Sequence, residues 1–129
     1  LPQHPPARSP AERGHHAWLR ANHPDLAARF AAELPGARAA VLARLWGAVA
    51  REPLPGRDGT LDKGAELVVR FRHATVCGPA AAAAPFAVAG PGLTVGGERH
   101  PATLAAALWP DRPAFAAELD NSVANLALA

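Results

Sequence analysis

Six histidines and one cysteine are the residues of this chain best suited to metal or nucleophilic chemistry. His15, His16 and His23 form the only close set of histidines. Successive side chains on a helix point about 100° apart, so His15 and His16 do not share the face that a chelating pair needs. No Cys, Asp or Glu joins them at ligand spacing, and they read as surface histidines. A nucleophilic Cys77 needs a base and an anion-stabilising neighbour. His73 is the nearest base in sequence, but it is a long reach along an extended strand, so Cys77 reads as structural or incidental. Arg70, Arg72 and His73 make a polar strand end that could meet an anion; a solvated sheet face is the plainer reading. Gly90-Pro91-Gly92 and Gly96-Gly97 precede no Lys-Ser/Thr and open no helix, so they are hairpin turns and not a phosphate loop. Glu118 and Asp120, two positions apart on a helix, face different ways and do not form an acid–base pair.

One further polar set stands out. Glu118, Ser122 and Asn125 are three or four positions apart and share a face of the last helix. Asn and Ser are poor interior helix formers. Each buried polar group left unpaired costs about 1–3 kcal/mol. The expectation is a polar network against the rest of the fold, the alternative being plain exposure.

The elements that would position these groups follow from periodicity. Leu1–Pro10 is a proline-rich arm, and 11–21 is a short helix with Trp18 and Leu19 as its apolar contacts. Asn22 or His23 caps a second helix with Pro24 in its first turn and Leu26, Phe30 and Leu34 on one face. Pro35-Gly36 should end it. A third helix, about 37–51, would bury Val41, Leu42, Leu45, Trp46 and Val49, with Arg38, Arg44 and Arg51 opposite, closing an antiparallel hairpin across Pro35-Gly36. Residues 57–64 read as a polar turn. From Ala65 the pattern alternates, with Leu67, Val69 and Phe71 to one side and Glu66, Val68, Arg70 and Arg72 to the other, which is a half-buried strand. Cys77-Gly78-Pro79 breaks it, and Ala80–Ala84 is a helical turn or a linker. Phe86-Ala87-Val88 and Leu93-Thr94-Val95 are two further short strands. His100-Pro101 opens a helix over 102–108, ended by Trp109-Pro110. Asp111 caps the last helix, with Pro113 in its first turn and Phe115, Leu119, Val123 and Leu126 as its apolar stripe. The fold class is α+β: an N-terminal helical hairpin, a short antiparallel three-stranded meander and two C-terminal helices. Residues 1–21 form the arm and short helix, and 22–129 the main domain.

Composition narrows the functional classes. Thirteen basic residues stand against eleven acidic ones, a net charge of +2. The arginines are scattered with no aromatics between them, which argues against a nucleic-acid surface. A single cysteine excludes an internal disulfide and fits a reducing compartment. No apolar run is long enough to span a membrane, and the start lacks a signal core. Half of the chain is hydrophobic, yet much of that is alanine, leaving thirty Leu, Val, Phe and Trp side chains to build the core. Apolar surface should therefore remain for a partner or for further chain. No cap closes the last helix and Leu1 replaces an initiator methionine, so the chain is expected to continue beyond both ends.

Two segments carry a resemblance. ELDNSVANLALA at Glu118–Ala129 resembles the end of the N-terminal region of the IucA/IucC family, the NRPS-independent siderophore synthetases related to aerobactin synthetase. LARLWGAVAREPLPG at Leu42–Gly56 resembles that family's early helix. The order of helices, the strand-rich ELVVRFRHATVCGP stretch, a His-Pro helix and the Glu-x-x-x-Ser-x-x-Asn helix also matches, over about Asn22–Ala129. The resemblance implies most of the thumb of a hand-like, cytoplasmic, ATP-dependent ligase of iron acquisition. That enzyme adenylates a carboxylate such as citrate and passes the acyl group to an amine or hydroxyl. ATP and Mg would bind outside these residues. The implied partners are the remainder of the synthetase and the parent's carboxylate and amine substrates, with no nucleic acid or membrane, and homo-oligomerisation is left open. The family's His-Pro-x-His-Pro-x-x-Lys pattern is absent. His100-Pro101 is half of it and takes no catalytic role, so no catalytic, cofactor or metal residue is assigned. A small helix-and-hairpin interaction module, with the Phe115–Leu126 stripe as its partner surface, is the rival reading. A small enzyme using Cys77 is a third.

Overall fold

The structure is a computed structural model that describes residues 8–85, 87 and 90–129. Its elements run α1 (Pro10–Asn22), α2 (Pro24–Arg51), β1 (Arg57–Lys63), β2 (Glu66–Phe71), β3 (Thr75–Pro79), a single 3-10 turn (Ala81–Ala83), α3 (Pro101–Leu108) and α4 (Pro113–Leu128). The α+β order of helical hairpin, antiparallel three-stranded meander and two helices is as expected. Residues 1–7, which hold most of the expected arm, lie outside the described residues, as do Phe86 and Val88 of the expected 86–88 strand.

The hairpin turns at a different place. Pro35-Gly36 does not end a helix: α2 is one helix of 28 residues with Pro35 inside it. An internal proline costs about 3 kcal/mol through its missing N–H and its clash with the preceding turn. The stripe of buried Leu34, Ala37, Arg38, Val41 and Leu42 continues across it, and burial on both sides offsets that cost. The reversal lies instead at His23, where α1 ends and Pro24 opens α2. The two helices run antiparallel, as Trp18 lies against His23, the rings of His15 and His16 stack on Phe30, and Glu12 meets Arg38.

The meander also differs in its membership. β2 is the alternating strand, with Val69 and Phe71 buried and Arg70 exposed. Its neighbours are β1, from the stretch read as a polar turn, and β3, from the stretch read as a breaker. β1 is an edge strand with little buried on either face, so RDGTLDK gives no alternation to read. In β3, Pro79 sits at the strand's end, where its lack of a donor is tolerated. Gly78 makes room for Trp46: a Cβ there would lie 2.6 Å from the indole ring. Leu93-Thr94-Val95 is not a strand; Val95 alone bridges to Glu98. Gly96 and Gly97 close that bridge at φ 60° and 78°, the left-handed region glycine enters without a Cβ penalty.

Two hydrophobic clusters result. One joins the C-terminal half of α2 (Leu42, Leu45, Trp46, Val49) to Val69, Phe71 and Val76 of the sheet and to Leu104, Leu108 and Trp109. The other joins Leu19 of α1, Phe30, Leu34 and Val41 of α2, and Val123, Ala124 and Ala127 of α4. Leu119 packs partly against both. Trp109 fixes the sheet side, since its Nε1 donates to the Pro55 carbonyl at 2.8 Å and its ring stands edge-on to Phe71 and Phe115.

Candidate functional site: a buried ionic clasp

The polar centre of the molecule is built from Ser9, Glu12, Arg38, His100 and Asp120, which lie on or beside all four α-helices. Ser9 caps α1: its Oγ accepts the Glu12 N–H at 3.2 Å, and Glu12 Oε1 accepts the Ser9 N–H at 2.9 Å. This reciprocal capping box is written in the sequence as Ser9-x-x-Glu12, with Pro10 at the first helical position. Arg38 reaches the same carboxylate with two bonds, Nε to Oε2 and Nη2 to Oε1, both 2.8 Å. From α4, Asp120 accepts the Ser9 hydroxyl on Oδ1 and the Ala11 N–H on Oδ2 at 3.0 Å.

His100 completes the group from the start of α3. Its Nδ1 accepts the Ala102 N–H at 3.1 Å and so caps the helix. A neutral ring therefore carries its proton on Nε2. That atom is buried and without a hydrogen-bond partner, 3.6 Å from Glu12 Oε2 and 3.5 Å from Asp120 Oδ1. Burial alone would raise the Glu12 pKa. The opposing contacts of His100, Arg38 and the Ser9 N–H outweigh it, holding this carboxyl well below the usual carboxylate range.

This arrangement is a clasp between helices. Glu12 has no exposed area, and Arg38 and Asp120 are 8% and 7% exposed. Each oxygen of the two carboxylates is already hydrogen-bonded within the cluster. Within the cluster these carboxylates hold α1 against α2 and α4. Among the described residues no group of three or more His, Cys, Asp or Glu could hold a metal ion.

The residues singled out from the sequence fall elsewhere. Glu118, Ser122 and Asn125 are exposed, and the Ser122 hydroxyl only donates back to the Glu118 carbonyl at 2.9 Å. The expected network on that face is absent; the inward polar residue of α4 is Asp120, beside Val123, Ala124 and Ala127. Arg38, expected on the outer side, is buried in the clasp. Asp111 does not cap α4; Arg112 takes that position without a side-chain bond. His15 and His16 are half-buried by stacking on Phe30, and His16 Nδ1 lies 2.7 Å from Arg8 Nη1. His23 is exposed, as are Cys77, His73, Arg70 and Arg72. Trp18, expected as a helix contact, is 59% exposed and lines a groove of about 470 Å³ with Ala11, Gly14, His15, Leu19 and Leu128. Leu26 is also exposed, at 42%.

Comparison with known proteins finds no matching family model, no matching curated protein and no matching solved structure. No helix among the described residues is long and apolar enough to cross a membrane.

Proposed function

We propose that this chain is the N-terminal, thumb-like portion of a cytoplasmic ATP-dependent siderophore synthetase of the IucA/IucC type, non-catalytic in itself. The parent enzyme would condense a carboxylic acid such as citrate with an amine or hydroxyl through an acyl-adenylate. ATP and Mg would be held by its remaining residues. The observation that supports this reading is the division of α4. The helix that carries the resemblance is clasped on one side, through Asp120, Val123, Ala124 and Ala127, by the rest of the domain. Its other side leaves Glu118, Ser122, Asn125 and Leu126 exposed to solvent. On this reading that outer side meets the catalytic core.

Two measurements test it. Purified chain supplied with ATP, citrate and hydroxylamine should form no hydroxamate; turnover would overturn the non-catalytic assignment. The codons after Ala129 should soon encode a His-Pro-x-His-Pro-x-x-Lys pattern; an immediate stop codon would overturn the family assignment. The second reading, a helix-and-hairpin interaction module, is favoured by one observation, the apolar groove under exposed Trp18. That stop codon would select it.

A further inference from the structure

We propose that α1 is a detachable strap, latched over the apolar groove between α2 and α4 by the ionic clasp and able to leave it while the sheet-side core stays folded. Three observations carry this. First, Leu19 is the only large apolar side chain that α1 buries; Ala11 packs beside it in part, and Trp18 faces solvent. The remaining hold is stacking of His15 and His16 on Phe30 and the polar contacts of Ser9, Ala11 and Glu12 with Arg38 and Asp120. Buried ion pairs are specific in geometry, but desolvation cancels much of their attraction. Such a latch sets where α1 sits more than how tightly it is held.

Second, the two hydrophobic clusters share only the partly buried Leu119, and α1 contributes only to the one made with Phe30, Leu34, Val41, Val123 and Ala127. Undocking α1 leaves the Trp46–Val69–Leu108 cluster untouched. Third, the join to α2 is the single residue His23, with extended-side angles (φ −145°, ψ 74°) and no side-chain cap on α2. Little of α2 need unwind for α1 to swing away. Once free, a helix of 13 residues is marginal in water, so opening and fraying coincide. Opening uncovers Phe30, Leu34, Val41, Val123 and Ala127 with the Arg38 guanidinium at the edge. That surface is complementary to an amphipathic helix carrying a leucine and a carboxylate seven residues apart, as α1 does with Glu12 and Leu19.

Native-state hydrogen exchange on the full chain tests the strap directly. Amides of α1 should exchange about a hundredfold or more faster than those of β2 and of Leu42–Val49, with a dependence on added denaturant smaller than that of β2, as sub-global openings show. Leu19→Ala should speed the α1 amides about tenfold or more and leave β2 unchanged. Equal protection of α1 and β2 in the unaltered chain would overturn the proposal. So would an L19A effect spread equally over both.

Discussion

Gly78→Ala isolates the contact on which the sheet-to-helix packing depends. The added Cβ would stand 2.6 Å from Trp46 Cε2, 2.7 Å from Cζ2 and 3.1 Å from Nε1. Carbon atoms in comfortable contact are about 3.5–4.0 Å apart, so roughly 1 Å of clearance is missing. The indole cannot yield it freely. Trp46 has no exposed area, and its Nε1 donates to the carbonyl of Pro79, the residue next to the substitution, at 2.9 Å. Overpacking a core of this kind costs about 1–3 kcal/mol, and leaving the indole N–H unpaired about 1–3 more. We expect a loss of about 2–6 kcal/mol, read as a lower urea midpoint at unchanged slope by circular dichroism and tryptophan fluorescence. The sign is informative because Gly to Ala within a regular strand otherwise helps by about 0.5–1 kcal/mol. A smaller ring should relieve the clash, so adding Trp46→Phe to Gly78→Ala should show a coupling of about 1 kcal/mol or more in a double-mutant cycle. A G78A chain as stable as the parent would refute the packing argument.

The clasp yields further expectations. Glu12→Gln should destabilise the domain by up to about 3–5 kcal/mol, limited by the free energy of docking α1, because undocking returns Arg38 to water; urea titration gives the value. Because the Glu12 pKa is depressed in the folded chain, its stabilisation is fully present above the ordinary carboxylate pKa and is lost as pH falls towards the lowered value. Urea midpoints measured down through the acid range should fall less steeply in E12Q than in the parent. Ser9→Ala removes both the cap of α1 and the donor to Asp120, and should cost about 0.5–2 kcal/mol, seen as a lower Tm. His100→Ala should cost about 1 kcal/mol through the lost α3 cap, and His100→Asn, which can accept the same N–H, should recover most of it.

What the sequence disclosed, and what it hid, follows from the range of each interaction. β2 was legible because one face of Leu67, Val69 and Phe71 is buried, which writes a period of two into the chain. The helices α1, α3 and α4 were legible from stripes and prolines. Pro35-Gly36 misled because local propensity says stop, while packing on both sides of Pro35 says continue. β1 was hidden because an exposed edge strand has no pattern, and β3 because Gly78 answers to Trp46, far off in sequence. The clasp was half legible: Ser9-x-x-Glu12 is a local signature and could have been read. Asp120 could not. Seen along its own helix it faces away from Glu118, and its partners Ser9 and Ala11 are 111 and 109 positions distant. Arg38 was assigned outward by helical phase alone, which does not know that a carboxylate waits on α1.

Pro35 also gives α2 a mechanical character. A helix of 28 residues is about 42 Å long, and α2 reaches from the cluster it shares with α1 and α4 to the sheet. At Pro35 the backbone lacks the N–H that would otherwise bond the Ala31 carbonyl, so this is where bending resistance is lowest. Arg51 lies sixteen residues further on, about 24 Å away along the axis. A flexure of about 10° there would carry that end sideways by about 4 Å. The helix is thus a lever with its fulcrum beside the clasp, and a load applied at one end is felt, magnified, at the other.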